Sequence, residues 1–518
     1  MALKNLFRSM RGAFLPAADT QNREAAPAFA LTPKHKLAQL VSTSCVAGTF
    51  YASAEDHLTE LLALAAEVDP TFVGKAAIHA RTRSRMKDAP AVLVAYLSKA
   101  APDVFAAVFS RVVDDGRTLR TFVQILRSGQ VGRKSLGSRP KRCVEAWLSS
   151  RTDEQIFRAS VGNDPSLADV VRMVHPKPET PSRSVLYAWL IGRPYDEAAL
   201  PEPVARFEAW KRDRTADVPD VPFLMLTSEP LSPAAWATVA RRASWQTLRM
   251  NLNTFTRHGA FEADPGLAEH VAGRLADRDE VRRSRTYPYQ VLAAWKALDS
   301  TAPAILADAL QTALEASLEN VPAIHGAVHV AVDVSGSMSS PVTGERGAGT
   351  TSVTCRDVAA LFASAILRKN PTAHVIPFHE RVEAVRLNPR DSVATNALVL
   401  ASLPSGGTNC SAPLALLNAT RARADVVIYL SDNQSWVDAT GTRGTETLAQ
   451  WRTFRHRNPK AKLVCIDLQP QGTTQAPEAD DVLNVGGFSD AVFDLVGEFA
   501  GGGLAAEPWV AEIEKIVL

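Results

Sequence analysis

Ala327-Val328-His329-Val330-Ala331-Val332-Asp333-Val334-Ser335-Gly336-Ser337 is the stretch whose reading decides the fold. A short, valine-rich run ends in a carboxylate, and a glycine-containing turn follows at once. Such a run, bounded by a turn signal, reads as a buried strand. Three later runs repeat the form: Ala373 to Phe378, Asp425 to Leu430 and Lys462 to Asp467. Helical stretches lie between them, Val358 to Leu367, Ala412 to Ala422 and Thr447 to Arg455. Strands alternating with helices predict a doubly wound parallel sheet covered on both faces. In such sheets ligands bind beyond the carboxyl ends of the strands.

Upstream the pattern differs. From Pro33 to about Asn320 apolar residues recur at helical spacing, as in His57 to Leu64, Asp103 to Phe109 and Ala302 to Leu318. Short breaks such as Asp69-Pro70, Asp88-Ala89-Pro90, Asp114-Asp115-Gly116 and Asn163-Asp164-Pro165 offer caps or a proline near a helix start. The cadence predicts stacked helix pairs of an α-solenoid, HEAT-like in style. No strict sequence repeat is present, so an irregular helical domain stays open. The division that follows is an N-terminal arm (1–30), a helical-repeat domain (31–322), the α/β domain (323–500) and a C-terminal segment (501–518). The last ends in a short amphipathic helix expected to pack back on the body.

The 518 residues allow about two to four domains. A hydrophobic content of 46% supplies large cores and excludes a mostly disordered chain. Lys plus Arg number 57 against 55 Asp plus Glu. A globally basic nucleic-acid binder is therefore excluded, and any such binding needs a local patch. Five scattered cysteines, Cys45, Cys143, Cys355, Cys410 and Cys465, form no Cys-x-x-Cys pair, which argues against zinc sites and disulfide frameworks. Lys4, Arg8 and Arg11 interrupt the apolar residues near the start, so no secretory leader is expected there. No run of 18 apolar residues occurs, so no membrane span is expected. These features fit a cytoplasmic protein.

The loop after the first strand is Asp-x-Ser-x-Ser, with Asp333, Ser335 and Ser337 at alternate positions. Gly406-Gly407-Thr408 offers another hydroxyl on a loop open to close approach. Asp432 follows the run ending at Leu430. Three loops thus deliver hard oxygen donors to one sheet edge, which suits Mg²⁺, with Ca²⁺ or Mn²⁺ as alternatives, over Zn²⁺. No nucleophile with an adjacent base is evident, which points to binding and not to an enzyme. His329 sits inside the apolar strand. His379 lies at a strand end with no local partner in the sequence.

These three loops resemble the metal-ion-dependent adhesion site of von Willebrand factor A domains. The resemblance implies that Ser335, Ser337 and Thr408 ligate the ion directly. Asp333 and Asp432 would help directly or through waters. It also implies an open coordination position for a partner's carboxylate.

Positive charge gathers on the helical region. Residues 117 to 142 hold Arg117, Arg120, Arg127, Arg133, Lys134, Arg139, Lys141 and Arg142 with no acid among them. Gly129 to Pro140 reads as a loop by its glycine and proline content. His79, Arg81, Arg83, Arg85 and Lys87 form a second cluster, and Arg282, Arg283 and Arg285 a third. Phosphate backbones require such islands, because neutralising phosphates releases counterions. A solvated face with acid partners elsewhere in the fold is the competing reading.

Several segments resemble the Ro autoantigen family with its TROVE module. Gly132-Arg133-Lys134-Ser135 and Arg139-Pro140-Lys141-Arg142 are similar to its basic loop. Asp169-Val170-Val171-Arg172-Met173-Val174-His175-Pro176-Lys177-Pro178 is similar to its Asp-Leu-Leu-Arg-Leu-x-His-x-Lys-Pro run, and Ser284-Arg285-Thr286-Tyr287-Pro288-Tyr289-Gln290 to its Ser-Arg-x-His-Pro-Phe-Gln segment. Ser405 to Ser411 is similar to its Gly-Gly-Thr-Asp-Cys-Ser loop. The resemblance implies helical repeats closed into a ring and Y-like non-coding RNA on the outer surface. Ends of misfolded RNA would enter the hole. Arg172, His175, Lys177 and Arg285 thereby join the candidate RNA contacts. It further implies a role in RNA quality control or processing, a monomer, and an exoribonuclease partner such as polynucleotide phosphorylase. One departure matters: a family histidine tied to RNA binding aligns with Leu167, and neighbouring basic residues are replaced across Ser160 to Asn163. The alternative function is a metal-dependent protein-binding adaptor without RNA.

Overall fold

The computed structural model describes residues 16–43, 53–162, 165–319, 321, 323–345, 351–437, 444–469, 472–487, 490–501 and 508–518. The leader reading at the N-terminus up to Leu15, Cys45, Asn163-Asp164 and Gly502-Gly503 lie outside the described residues. Among those described, eight strands follow in chain order. They are β1 (Thr20–Gln21), β2 (Pro27–Ala30), β3 (Val328–Asp333), β4 (His374–Phe378), β5 (Val426–Ser431), β6 (Lys462–Asp467), β7 (Thr473–Thr474) and β8 (Val482–Gly486). The chain divides into two compact units. One comprises Met1–Val68, Tyr287–Lys296 and Leu314–Ile516, the other Asp69–Thr286, Ala297–Ala313 and Val517–Leu518.

The first unit is built on a five-stranded parallel sheet in the order β4-β3-β5-β6-β8. All six residues of β3 and of β5 are buried, as expected for strands covered on both faces. Alternate residues divide between the faces. Ala331, Val427, Tyr429 and Leu463 pack with Leu414, Trp451 and Phe454 from the helices Ala412–Ala419 and Glu446–Arg457. On the opposite side the helix Cys355–Lys369 carries Phe362, whose ring stands 4.5 Å from that of Phe493 on Asp490–Ala500. Trp451 is fully buried, and its truncation to Ala costs about 3–5 kcal/mol. The four strands read from the sequence are present, each within a residue of its expected bounds. The strand β8 and the helix Val393–Ala401 were not read.

The residues read as an arm are, over 16–30, held on this unit. β1 pairs antiparallel with β2, and β2 with β7, where Phe29 faces Thr474. Phe29 is 4% exposed and joins the core beside Val427 and Trp451. One buried phenylalanine in a polar segment gives no periodicity to read. The helix Pro33–Thr43, assigned by sequence to the helical domain, contacts β8. The C-terminal helix Pro508–Glu514 packs on Pro33–Thr43, with Ile513 fully buried. The Lys34–Glu514 ion pair at 2.8 Å is solvent-exposed and adds little.

The second unit is a succession of helices, and the breaks Asp69-Pro70 and Asp114-Asp115-Gly116 supply side-chain caps. Asp69 caps Pro70–Thr82, Asp115 caps Gly116–Ser128, and Ser166 caps Leu167–Val174 through a reciprocal capping box. At Asp88 the helix begins on Asp88 itself, without a side-chain cap. Aromatic clusters join neighbouring helices. Phe105, Phe109 and Phe122 meet at 5.3–5.9 Å, and Phe223, Trp236 and Phe255 at 6.0–6.2 Å.

Candidate metal loop and basic cleft

Asp333 ends β3, and the chain crosses from β4 over β3 to β5. The carboxyl end of β3 is therefore the switch point of the sheet, the place where such folds bind ligands. Asp333 is fully buried. Its Oδ1 accepts the Ser335 N–H at 2.8 Å, and its Oδ2 accepts the Ser431 hydroxyl at 2.6 Å. The Ser335 and Ser337 hydroxyls lie 3.4 Å apart. Asp432 follows β5, is 4% exposed, and accepts the Gln434 N–H at 3.2 Å. Thr408 is buried on the third loop, and its carbonyl accepts the Trp436 N–H at 3.0 Å. The Gly336 N–H donates to the Gly406 carbonyl at 3.0 Å, joining the first loop to the third. Arg356 braces both, donating to the carbonyls of Val334 and, at 3.1 Å, of Leu403. The structure thus brings the loops carrying all five metal candidates together.

The electrostatics of this edge are strained by burial. Desolvation pushes the Asp333 carboxyl above its ordinary value, against the pull of its serine hydrogen bonds and of Arg356. Burial and the neighbouring Asp333 charge push Asp432 up to about 7. A third acid, Asp467 at the end of β6, is raised by burial and by Asp432, and its Oδ1 is buried without a hydrogen-bond partner. The sequence reading did not single out Asp467, although its run ends in an acid as β3 does. Among the described residues no group of three or more His, Cys, Asp or Glu is placed to hold a metal. The donor set is instead hydroxyl and carboxylate oxygen, with buried negative charge faced by one guanidinium. A hard divalent cation fits that chemistry.

His379 does have a local partner, contrary to the sequence reading. Its Nε2 meets Glu383 Oε1 at 2.8 Å, and its Nδ1 accepts the Glu380 N–H at 2.7 Å. Both ring nitrogens are engaged, so it is poorly placed as a base toward the metal loop. Gly406 lies against it, and a Cβ there would stand 2.6 Å from Nδ1.

The basic residues fall into two groups. Some are pinned within the helical unit. Arg81 donates to Asp114 at 2.5 Å and Asp115 at 2.7 Å, so acids distant in sequence meet it. Arg120 donates to the Ala159 carbonyl at 2.8 Å, and Arg133 to Ser98. Arg139 pairs with Asp103 at 2.8 Å and Arg172 with Asp169 at 3.1 Å. Arg85 donates to the carbonyl of Arg285. The others, Arg83, Arg117, Arg127, Lys134, Arg142, His175 and Lys177, are exposed and form no ion pair among the described residues; Lys141 is half-buried. The loop is shorter than read: Gly129, with φ of 84°, ends one helix and the next runs Ser138–Ser149. Arg139, Lys141 and Arg142 therefore ride its first turns.

A cleft of about 820 Å³ takes in one of these cations, Arg117, and is lined also by Arg120, Trp147, Arg151 and Arg158, with Asp114 and Asp115 among the other residues. Arg151 stacks 4.1 Å over the Trp147 ring. Arg151 and Arg158 were missed by the sequence reading. Arg151 stands four residues after Trp147, just past the end of the helix Ser138–Ser149, and that spacing was the available signal.

A family model described as the Ro60 vWA domain matches residues 327–500. A Deinococcus radiodurans protein named RNA-binding protein RO60 is 25% identical over 547 residues, covering 96% of this chain and 100% of that one. A Caenorhabditis elegans protein of the same name is 25% identical over 268 residues, 49% of this chain and 39% of its own. The crystal structure of the Deinococcus radiodurans RO (RSR) protein superposes with a TM-score of 0.61 at 20% identity, covering 91% of this chain and all of that one. That likeness bears on the fold. With the domain model and the full-length relative beside it, residues 327–500 match the Ro60 vWA domain, and the chain is similar along its length to a Ro60 protein.

Proposed function

We propose that this protein is an RNA-binding scaffold of the Ro type and not an enzyme. It would hold structured, Y-like non-coding RNA on the helical unit and take up ends of misfolded RNA, in RNA quality control or processing in the cytoplasm. The carrying observation is the set of exposed cations, Arg117, Arg127, Lys134 and Arg142, that no acid neutralises among the described residues. In a chain of formal net charge +2 such a set is a local positive field. The relatives' printed names support RNA as the ligand. An exoribonuclease delivering or consuming the bound RNA is part of the proposal. The absorbance ratio at 260 and 280 nm of protein purified from its host is the first test. A ratio typical of bare protein, with no RNA retained in filter binding at low salt, would overturn the reading.

The metal loop supports a second, compatible reading. Asp333, Ser335, Ser337, Thr408 and Asp432 would hold Mg²⁺, which supplies a Lewis-acidic position for an incoming carboxylate. Trp436 (46% exposed) and Val437 (36%) follow that loop and offer apolar surface to a protein partner. Pull-down of an acidic protein that is lost on chelation would identify this adaptor role.

A further inference from the structure

The loop that carries Asp432 is held from outside the sheet by the N-terminal hairpin. Asn22, 7% exposed, donates its Nδ2–H to the Ser435 carbonyl at 2.7 Å. The Arg23 N–H donates to Gln434 Oε1 at 2.9 Å. Gln434 is fully buried, and its own N–H donates to Asp432 Oδ1 at 3.2 Å while its Nε2–H donates to the Asp432 carbonyl at 3.1 Å. Two hydrogen bonds therefore lead from the Asp432 carboxylate through Gln434 to the main chain of Arg23. A second tether comes from the strand that β2 pairs with. Gln475, next to β7, donates to the Asn433 carbonyl at 2.9 Å. Asn433 sits at φ 57°, in the left-handed region that asparagine adopts more readily than other non-glycine residues.

We propose that the hairpin Thr20 to Ala30 is a clasp on the metal loop, with Asn22 and Gln434 as positioning residues, so that divalent-cation binding and hairpin docking strengthen each other. This rests on the metal reading of Asp333 and Asp432. The physical reason is reciprocity. Without a cation, two buried acids repel at the loop, and the hairpin's hydrogen bonds hold it against that repulsion. With a cation the loop is fixed from the other side, and the hairpin has a rigid seat. By linkage each event raises the affinity of the other by the same factor.

Asn22 allows a clean separation. Its Oδ1 accepts the N–H groups of Glu24 and Ala26 at 3.0 Å, which fold the hairpin turn. Asn22→Asp keeps those acceptors and replaces the donor to Ser435 with a carboxylate oxygen, so that the lost hydrogen bond becomes a repulsion against the Ser435 carbonyl. Calorimetric titration of the full chain with Mn²⁺ should show binding to the wild type and at least about five-fold weaker binding to Asn22→Asp, five-fold being the loss of one buried hydrogen bond alone. Hydrogen exchange on the wild type is the arm that needs no variant. Mn²⁺ should slow exchange of the Arg23 amide, and EDTA should restore it. Wild type binding Mn²⁺, with Asn22→Asp equally tight and Arg23 exchange unmoved, would overturn the clasp and leave the metal site standing. No Mn²⁺ binding to the wild type would overturn the metal reading and the clasp with it.

Discussion

Arg133 Nη1 lies 3.1 Å from both the carbonyl and the hydroxyl of Ser98, a residue that is 4% exposed. An arginine that the sequence offers as an RNA contact is thus also a pin between the basic loop and the helix Asp88–Ala100. Arg133→Ala leaves two buried acceptors with one partner fewer, at a cost of about 1–3 kcal/mol. Lys134→Ala, on an exposed neighbour, should stay within about 0.5 kcal/mol. Urea unfolding curves of the two variants check the contrast. Equal midpoints would mean that Arg133 does not pin the loop.

Arg81 bridges Asp114 and Asp115 with its side chain only 12% exposed. Arg81→Ala should destabilise the helical unit by about 2 kcal/mol, since it leaves two carboxylates without their cation. RNA affinity measured well below the melting temperature should change little. A large loss of RNA binding with an unchanged melt would return Arg81 to the ligand surface.

How far the sequence could be read follows from where its signals are local. β3 to β6 were legible because each is a short apolar run between turn signals. Asp333 and Asp432 were legible because each directly follows its strand. Phe29 and the hairpin pairing were not, because their partners, β7 and the core around Trp451, lie more than 400 residues away. Arg81 illustrates the same limit in charge. Its acid-free neighbourhood in sequence becomes a salt bridge across 33 residues in space. Glu383, four residues beyond His379, was within reach of a local reading and was passed over.

If the metal loop holds a divalent cation, Mg²⁺ at about 100 times its dissociation constant should stabilise the sheet unit by about 2.7 kcal/mol. That corresponds to a rise of about 5 °C in melting temperature for a unit of this size. Differential scanning calorimetry with Mg²⁺ and with EDTA measures it, and Asp333→Asn should abolish the shift. A shift that survives Asp333→Asn would place the cation elsewhere.

His329 on β3 stacks 5.1 Å from His374 on β4, and its Nε2 meets the Arg423 carbonyl at 3.1 Å. Burial, and secondarily the His374 charge, lower its pKa below the ordinary value. The sign follows from proton counting. Below about pH 6.5 the unfolded chain takes up the proton that the folded imidazole resists, so stability falls as pH drops through that window. His329→Gln should flatten this part of the melting-temperature profile between pH 7 and pH 5. An identical slope in the variant would assign the acid sensitivity to other groups.

The central claim is that exposed cations on the helical unit hold RNA phosphates, and the salt dependence of RNA affinity tests it most directly. Filter binding of a single-stranded RNA across monovalent salt should give a log–log slope of about −4 if ~6 phosphates are engaged. Replacing Lys134 and Arg142 together by Ala should weaken all RNAs alike and flatten the slope by about 1.4, roughly 0.7 for each lost phosphate contact. Asp333→Ala should leave both affinity and slope unchanged. A slope near zero in the wild type, or a double variant that binds with the wild-type slope while Asp333→Ala or EDTA releases the RNA, would contradict the account.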